Sequence, residues 1–409
     1  MRSIPRHLRA AALVAATFAA ALAALGALNG SDRAPAARPP TADSLVLRAQ
    51  RLLQRVRATE DPAPYAEAER ALDAARRLEP RNAGVALGHG ELAMSRHDFR
   101  EGLAWGVRAR RLAPDTVRSL GLIADAQIEL GRYAAAERTL QRLVDLKPGV
   151  AAYTRISYFR ELHGDVDGAA DAMRLAVSAA GTKPADSADV RVLLGHLELT
   201  RGRTAAGERL FREVLLAQPA HAKALDGLAD VEIAKGRPRA ALARWRRLSA
   251  AVPSPHYAAD VVELSLAFGR RAEAARAIGR VRALDRRLAA AGANVASESA
   301  VFEADHGSPA KALAMARRAY AEAPSVQRAD ALGWALTRAG RPAEAIALAR
   351  EAMRLRTPAP TFLYHGAIAA KEAGRTRLAR RWLRRLLADH RGFSPLLEPR
   401  ARRALRASG

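Results

Sequence analysis

The 409-residue sequence predicts an all-α fold, a solenoid of antiparallel helix pairs. Three observations carry that prediction. Alanine and leucine dominate, β-branched and aromatic residues are scarce, and no run alternates over the length of a strand. A turn glycine recurs at Gly131, Gly164, Gly202, Gly236, Gly269, Gly307, Gly340 and Gly374, at spacings of 33, 38, 34, 33, 38, 33 and 34 residues. Five residues after each glycine stands a small residue: Ala136, Ala169, Gly207, Ala241, Ala274, Ala312, Ala345 and Ala379. A single hairpin of amphipathic helices cannot bury both apolar faces, so a period of this length predicts stacked neighbours of the same kind.

At the N-terminus, Arg2, Arg6, His7 and Arg9 precede an uncharged run from Ala10 to Leu28. This pattern fits a signal peptide or a single-span membrane anchor over residues 1–28. The Pro-rich stretch that follows reads as a flexible spacer over 29–43. Residues 44–80 read as a degenerate capping pair, with one helix from Ala42 to Thr59, a break at Pro62 and Pro64, and a second helix from Tyr65 to Leu78. The unit from Ala83 to Pro114 departs from the pattern, since Arg96-His97-Asp98 stands where a turn glycine is expected.

Regular units follow over 117–148, 150–181, 188–219, 222–253, 255–290 and 293–324. Two junctions are about four residues long for the period, near one helical turn, and predict an extended second helix over 272–290. Val326 to Pro358 is the clearest copy: Gly340 ends its first helix, and Pro342 opens the second from a first-turn position. The last unit spans Pro360 to Asp389 and completes a solenoid over 81–392. Residues 393–409 form a tail in which Phe393, Leu396 and Leu397 cover the open end and Ala401 to Ala407 is helical.

The period and the fixed small residues resemble the tetratricopeptide repeat family over roughly residues 80–392. That resemblance implies a right-handed superhelix with the first helix of each unit lining a concave groove. It implies protein–protein interaction and no catalysis. The Gly-Phe-Ser-Pro-Leu phrase at 392–396 and the stretch from Tyr153 to Met173 resemble bacterial members of the family. With the N-terminal run, and a basic flank that holds the N-terminus inside, the expected location is a bacterial cell envelope, the repeats being extracytoplasmic.

The chain contains no cysteine, which excludes disulfides and thiolate catalysis. No His-Glu-x-x-His, no Gly-Lys-Ser/Thr phosphate loop and no Gly-x-Ser-x-Gly elbow occurs. No pair among the ten histidines has metal-ligand spacing on one helix. Neither a catalytic site, nor a cofactor, nor a metal, nor a small-molecule substrate is expected.

Lys plus Arg total 67 against 42 acidic residues, a formal net charge of +25, and only six of the basic residues are lysine. Mapping charge onto the repeat separates the two signs. Inward positions of the first helices carry Asp125, Glu129, Glu161, Asp189, Asp226, Asp230, Glu263, Asp305 and Asp330, with Tyr158, His196, Trp334 and Tyr364 among them. Second helices carry the arginines, for example Arg239, Arg244, Arg246 and Arg247. These thirteen inward residues are the candidate groove, expected to hold a peptide or protein segment with basic side chains. The arginine-rich back makes an anionic membrane surface a further expected partner. The alternative is a nucleic-acid or anionic-surface binding module acting through that arginine face. Nucleic acid is the weaker expectation, because exposed aromatics, a helix-turn-helix signal and a zinc module are all missing from the sequence.

Overall fold

The computed structural model of the protein describes residues 39–181, 183 and 185–407. Among these residues there are twenty-one helices and no strand. Numbered from the N-terminal end, they pair as α1 (Ala42–Thr59) with α2 (Tyr65–Leu78), α3 (Ala83–Ser95) with α4 (Phe99–Leu112), α5 (Val117–Glu129) with α6 (Tyr133–Leu146), and α7 (Val150–Leu162) with α8 (Val166–Ala179). Then come α9 (Ala188–Thr200) with α10 (Thr204–Ala217), α11 (Ala222–Ala234) with α12 (Pro238–Ala251), and α13 (Pro255–Ala267) with α14 (Arg271–Ala290). The last pairs are α15 (Ala296–His306) with α16 (Pro309–Glu322), α17 (Val326–Arg338) with α18 (Pro342–Ala352), and α19 (Pro360–Glu372) with α20 (Thr376–Asp389); α21 (Leu397–Arg406) closes the end. The architecture is an all-α superhelical solenoid of ten hairpins.

The hairpin turns follow from backbone preference. Seven of the eight turn glycines have φ between 69° and 80°, the left-handed conformation that ends a helix with least strain in glycine. Gly307 does not. Its φ is −142°, and Ser308 caps α16 through its hydroxyl, with Pro309 in the first turn. In the unit without a glycine, His97 takes the left-handed position at φ 60°.

Among the described residues no helix is long and apolar enough to cross a membrane. The two helices with the length to do so, α1 and α14, are studded with charge, as in Arg-Val-Arg-Ala-Leu-Asp-Arg-Arg from Arg280 to Arg287. This corrects the expectation of an N-terminal single-span anchor with the repeats placed outside the cytoplasm. The run that prompted it, over 1–28, lies outside the described residues, as do residues 29–38 of the expected spacer.

Contacts between units far apart in sequence add a feature of the fold. The hairpins beginning at 293, 326 and 360 pack back against those beginning at 83, 117 and 150. Arg100 donates to the carbonyl oxygens of Glu322 (2.6 Å) and Ala321 (2.8 Å). The Asn294 amide donates to the Arg96 carbonyl at 2.7 Å. The Val326 amide donates to the Tyr133 hydroxyl at 3.0 Å, and the Thr357 hydroxyl to the Leu162 carbonyl at 2.6 Å. One core cluster runs across this seam, from Leu120, Ile128 and Leu162 to Val326, Ala359 and Phe362. At Gly131 and Gly164 the approach is so close that an added Cβ would meet the carbonyl oxygens of Pro324 and Arg356. Six hairpins thus complete a turn, and the second turn rests on the first.

Candidate functional site

The first helices carry ionisable groups one turn apart on their inner face, as Asp125 with Glu129, Asp226 with Asp230, and His256 with Asp260. The next first helix lies alongside and supplies the counter-group. Arg155 Nε and Nη2 meet Asp125 at 2.9 and 2.8 Å in a two-pronged pair. Burial still leaves the Asp125 carboxyl above its usual range, Arg155 offsetting only part of the cost. The Tyr158 hydroxyl donates to Glu129 at 3.3 Å. Burial pushes Glu129 up to about 7, with the Arg328 charge opposing. It pushes the part-buried Glu161 up to about 7 as well.

Further along, His196 Nδ1 lies 3.8 Å from Asp230, and its ring packs on Phe211 at 5.0 Å between centroids. Asp226, 2 % exposed, accepts from the Trp245 indole at 2.6 Å and has His256 at 3.5 Å. Glu263 accepts from Ser394 of the C-terminal tail at 2.6 Å. Asp305 accepts from the Trp334 indole at 3.0 Å. Asp330 meets His365 Nδ1 at 2.9 Å, and Trp334 stacks on that imidazole at 4.2 Å and 14°. Burial works against charge on His365, but the Asp330 carboxylate outweighs it and holds the imidazole pKa above its usual value. Tyr364 is buried, with its ring 6.1 Å from Trp334.

The thirteen residues read from the sequence are therefore brought together as consecutive rungs along the inner face, most of them joined to a group on a neighbouring unit. Three basic members of the rungs, Arg155, His256 and His365, were not in the set. Their signal is a sequence offset of 30 to 35 residues from the acid they meet.

One member opens onto a large cavity. The C-terminal end of α1 faces the N-terminal ends of α7, α9 and α11 across a channel of about 1020 Å³. Gln54, Arg57, Thr154, Asp189, His221 and Lys223 are among its polar lining, with Val150 and Leu193 as apolar wall. Glu60 and Asp186 line it too, so three acids share the cavity with Arg57, His221, Lys223 and the positive ends of three helices. Asp189 reports the balance. The enclosing walls disfavour its charge, yet His221 at 3.7 Å and Lys223 at 3.8 Å, with Arg57 beyond, hold its pKa down to about 2. Arg57 is enclosed enough that burial lowers its own pKa, and it makes no hydrogen bond or ion pair among the described residues.

A family model described as tetratricopeptide repeat matches residues 117–149. No curated protein matches the chain. Among solved structures, a tetratricopeptide repeat protein from Parabacteroides merdae is 18 % identical, over 61 % of this chain and 98 % of that one, with a TM-score of 0.43. PilW, a type IV pilus biogenesis factor, is 14 % identical over 51 % of this chain and 92 % of its own, with a TM-score of 0.40. Yeast Tom70 is 12 % identical over 90 % of this chain and 95 % of its own, with a TM-score of 0.36.

Proposed function

We propose that this chain, a tetratricopeptide-repeat solenoid, is a non-enzymatic scaffold that holds an extended segment of a partner protein in its inner channel. The fold is one that generally mediates protein–protein interaction. Arg57 carries the finer reading: a guanidinium enclosed in an open channel, without a partner among the described residues, is a place for a carboxylate from outside. The inward acids suggested a basic partner. Several of them are matched by bases on the next unit, and Lys223 already faces Asp189, so among the channel's charged groups Arg57 is the one that calls for a carboxylate. A segment with an acidic side chain or a terminal carboxylate, flanked by apolar residues for Val150 and Leu193, fits that lining. Of the predicted groove residues, Asp189 would border the segment and the others would hold the wall.

The test begins with capture of partners on the full chain. Affinity for the identified segment is then measured with wild type, Arg57→Glu and Arg57→Lys. A charged hydrogen bond contributes about 1.5–3 kcal/mol, so Arg57→Glu should weaken binding at least about tenfold and Arg57→Lys much less. Equal affinity in all three sinks the reading.

A second reading has its own observation. At the C-terminal end Arg375, Arg377, Arg381, Arg384, Arg391 and Arg403 are exposed, while the acids there, Asp389 and Glu398, already face Arg385 and Arg402. Such a face fits nucleic acid. Retention on DNA at moderate salt, lost when Arg377, Arg381 and Arg384 become alanine, would establish it.

A further inference from the structure

We propose that Asp226, His256 and Asp260 form a binding site for a divalent transition-metal ion of the zinc type, at the inner junction of α11 and α13. His256 and Asp260 lie one helical turn apart on α13 and so share a face. Asp226 comes from α11 opposite. One donor atom from each residue lies within 4.8 Å of the other two. His256 Nε2 is 3.5 Å from Asp226 Oδ2 and 3.9 Å from Asp260 Oδ2.

The site is more than a group of carboxylates. The imidazole Nε2 is a buried atom, it points between two acid oxygens, and it makes no hydrogen bond to either. An ion with bonds of about 2.0–2.2 Å to nitrogen and oxygen sets its donors roughly 3–3.5 Å apart. The nearer pair, at 3.5 Å, already falls in that range, and the 3.9 Å pair reaches it by a contraction of about 0.4 Å. The carboxylates are held for it. Asp226 and Asp260 are 2 % and 3 % exposed, and Trp245, fully buried, fixes Asp226 by donating to Oδ1 at 2.6 Å while Oδ2 faces the histidine. An outer hydrogen bond of this kind orients a ligand and tunes its basicity.

The donor set selects the ion. One imidazole with two carboxylates, in a chain without cysteine, suits Zn²⁺, Co²⁺ or Ni²⁺. Calcium and magnesium take six or more oxygens or keep most of their water, and an imidazole does not serve them. Three protein donors leave the remaining positions to water. The sequence pattern hid the set because it has one histidine, and its third donor lies 30 residues before the second.

The test uses the full chain, stripped with chelator and dialysed. Calorimetric titration with ZnCl₂ should give one saturable site per chain. Co²⁺ or Ni²⁺ should quench the emission of the buried Trp245, and Trp245→Phe should remove that component. His256→Gln, at a residue a quarter exposed and so tolerant of change, should weaken Zn²⁺ at least about tenfold, and Asp260→Asn likewise. His97→Asn removes a histidine from a distant turn and should leave affinity unchanged. Circular dichroism confirms that each variant folds. Absence of saturable binding below about 1 mM, or the same affinity in His256→Gln as in wild type, overturns the proposal and leaves the three groups as an ion-paired rung. If Asp260→Asn does not fold, His256→Gln and the tryptophan quenching still decide.

Discussion

Asparagine in place of Asp330 should cost the fold far more at pH 5.5 than at pH 9. Asp330 and His365 are 2 % and 5 % exposed, face each other at 2.9 Å, and lie under the Trp334 ring. Asp305 is the other acid whose charge reaches the imidazole, from α15. Burial alone would lower the His365 pKa; the carboxylates raise it above 6.5. A histidine whose folded pKa is raised stabilises the fold in full below its unfolded value, and that contribution is lost as pH rises through the folded value. Removing one member of a buried pair costs about 3–5 kcal/mol, because the other charge is left without a partner. At pH 5.5 Asp330→Asn should lose that amount. As pH rises through the folded value the imidazole becomes neutral in both states, and the loss should shrink towards about 1 kcal/mol, one ordinary hydrogen bond. Urea unfolding at both pH values measures the difference, and ring-proton NMR gives the His365 titration directly. Equal losses at the two pH values, or His365 titrating below 6.5, would refute the reasoning.

Three further substitutions probe the seam and the buried acids. Gly131 and Gly236 have φ of 72° and 70°, but an added Cβ meets the Pro324 carbonyl at the first and nothing within 4 Å at the second. Gly236→Ala should cost only the backbone strain, about 1–2 kcal/mol, whereas Gly131→Ala should lose a further 1–3 kcal/mol or so as the seam is forced apart, read as a larger drop in melting temperature. Glu129 is pushed up to about 7 by burial, so the folded state holds its proton more tightly than the unfolded state and stability falls as pH rises from 4.5 to 7. Glu129→Gln should gain up to about 3 kcal/mol at pH 8 and nothing at pH 4, as measured by urea midpoints.

The fold was legible because each hairpin is specified locally. Glycine at a left-handed position, proline in a first turn and alanine at the helix contact are properties of single residues, and they recur in register. His97 shows why one unit departs from the pattern yet keeps its turn: the conformation is kept although the residue that announces it is gone. The inner acids were legible for the same reason, since position in the helix fixes the face. Their partners were not, because Arg155 and His365 lie one unit away, and only a register accurate to a turn aligns them with Asp125 and Asp330. The channel was less legible still. It depends on α1 ending opposite three helix N-termini, which no local pattern encodes. The seam depends on the rotation between hairpins summed over six units, and a small angle in each decides whether the second turn touches the first.

That seam changes what kind of solenoid this is. In a simple repeat array each unit contacts only its neighbours, so units fray from the ends and stability is a sum of local terms. Here Tyr133 and Leu162 bond to Val326 and Thr357, 193 and 195 residues away, and one apolar cluster spans both turns. The units beginning at 117 and 150 cannot open without exposing the Val326 and Phe362 surfaces, so the middle of the chain unfolds together with its later part. The same closure acts on the channel. Its walls are α1 and the first helices of three units, two of which carry rungs joining them to the next. On the proposed reading, a groove held in this way does not have to tighten around a bound segment, since a rigid, pre-formed site spends less of its interaction energy on ordering itself. On that reading the acids along the inner face fix the channel's shape, and Arg57, without a partner among the described residues, is the group proposed to meet the segment.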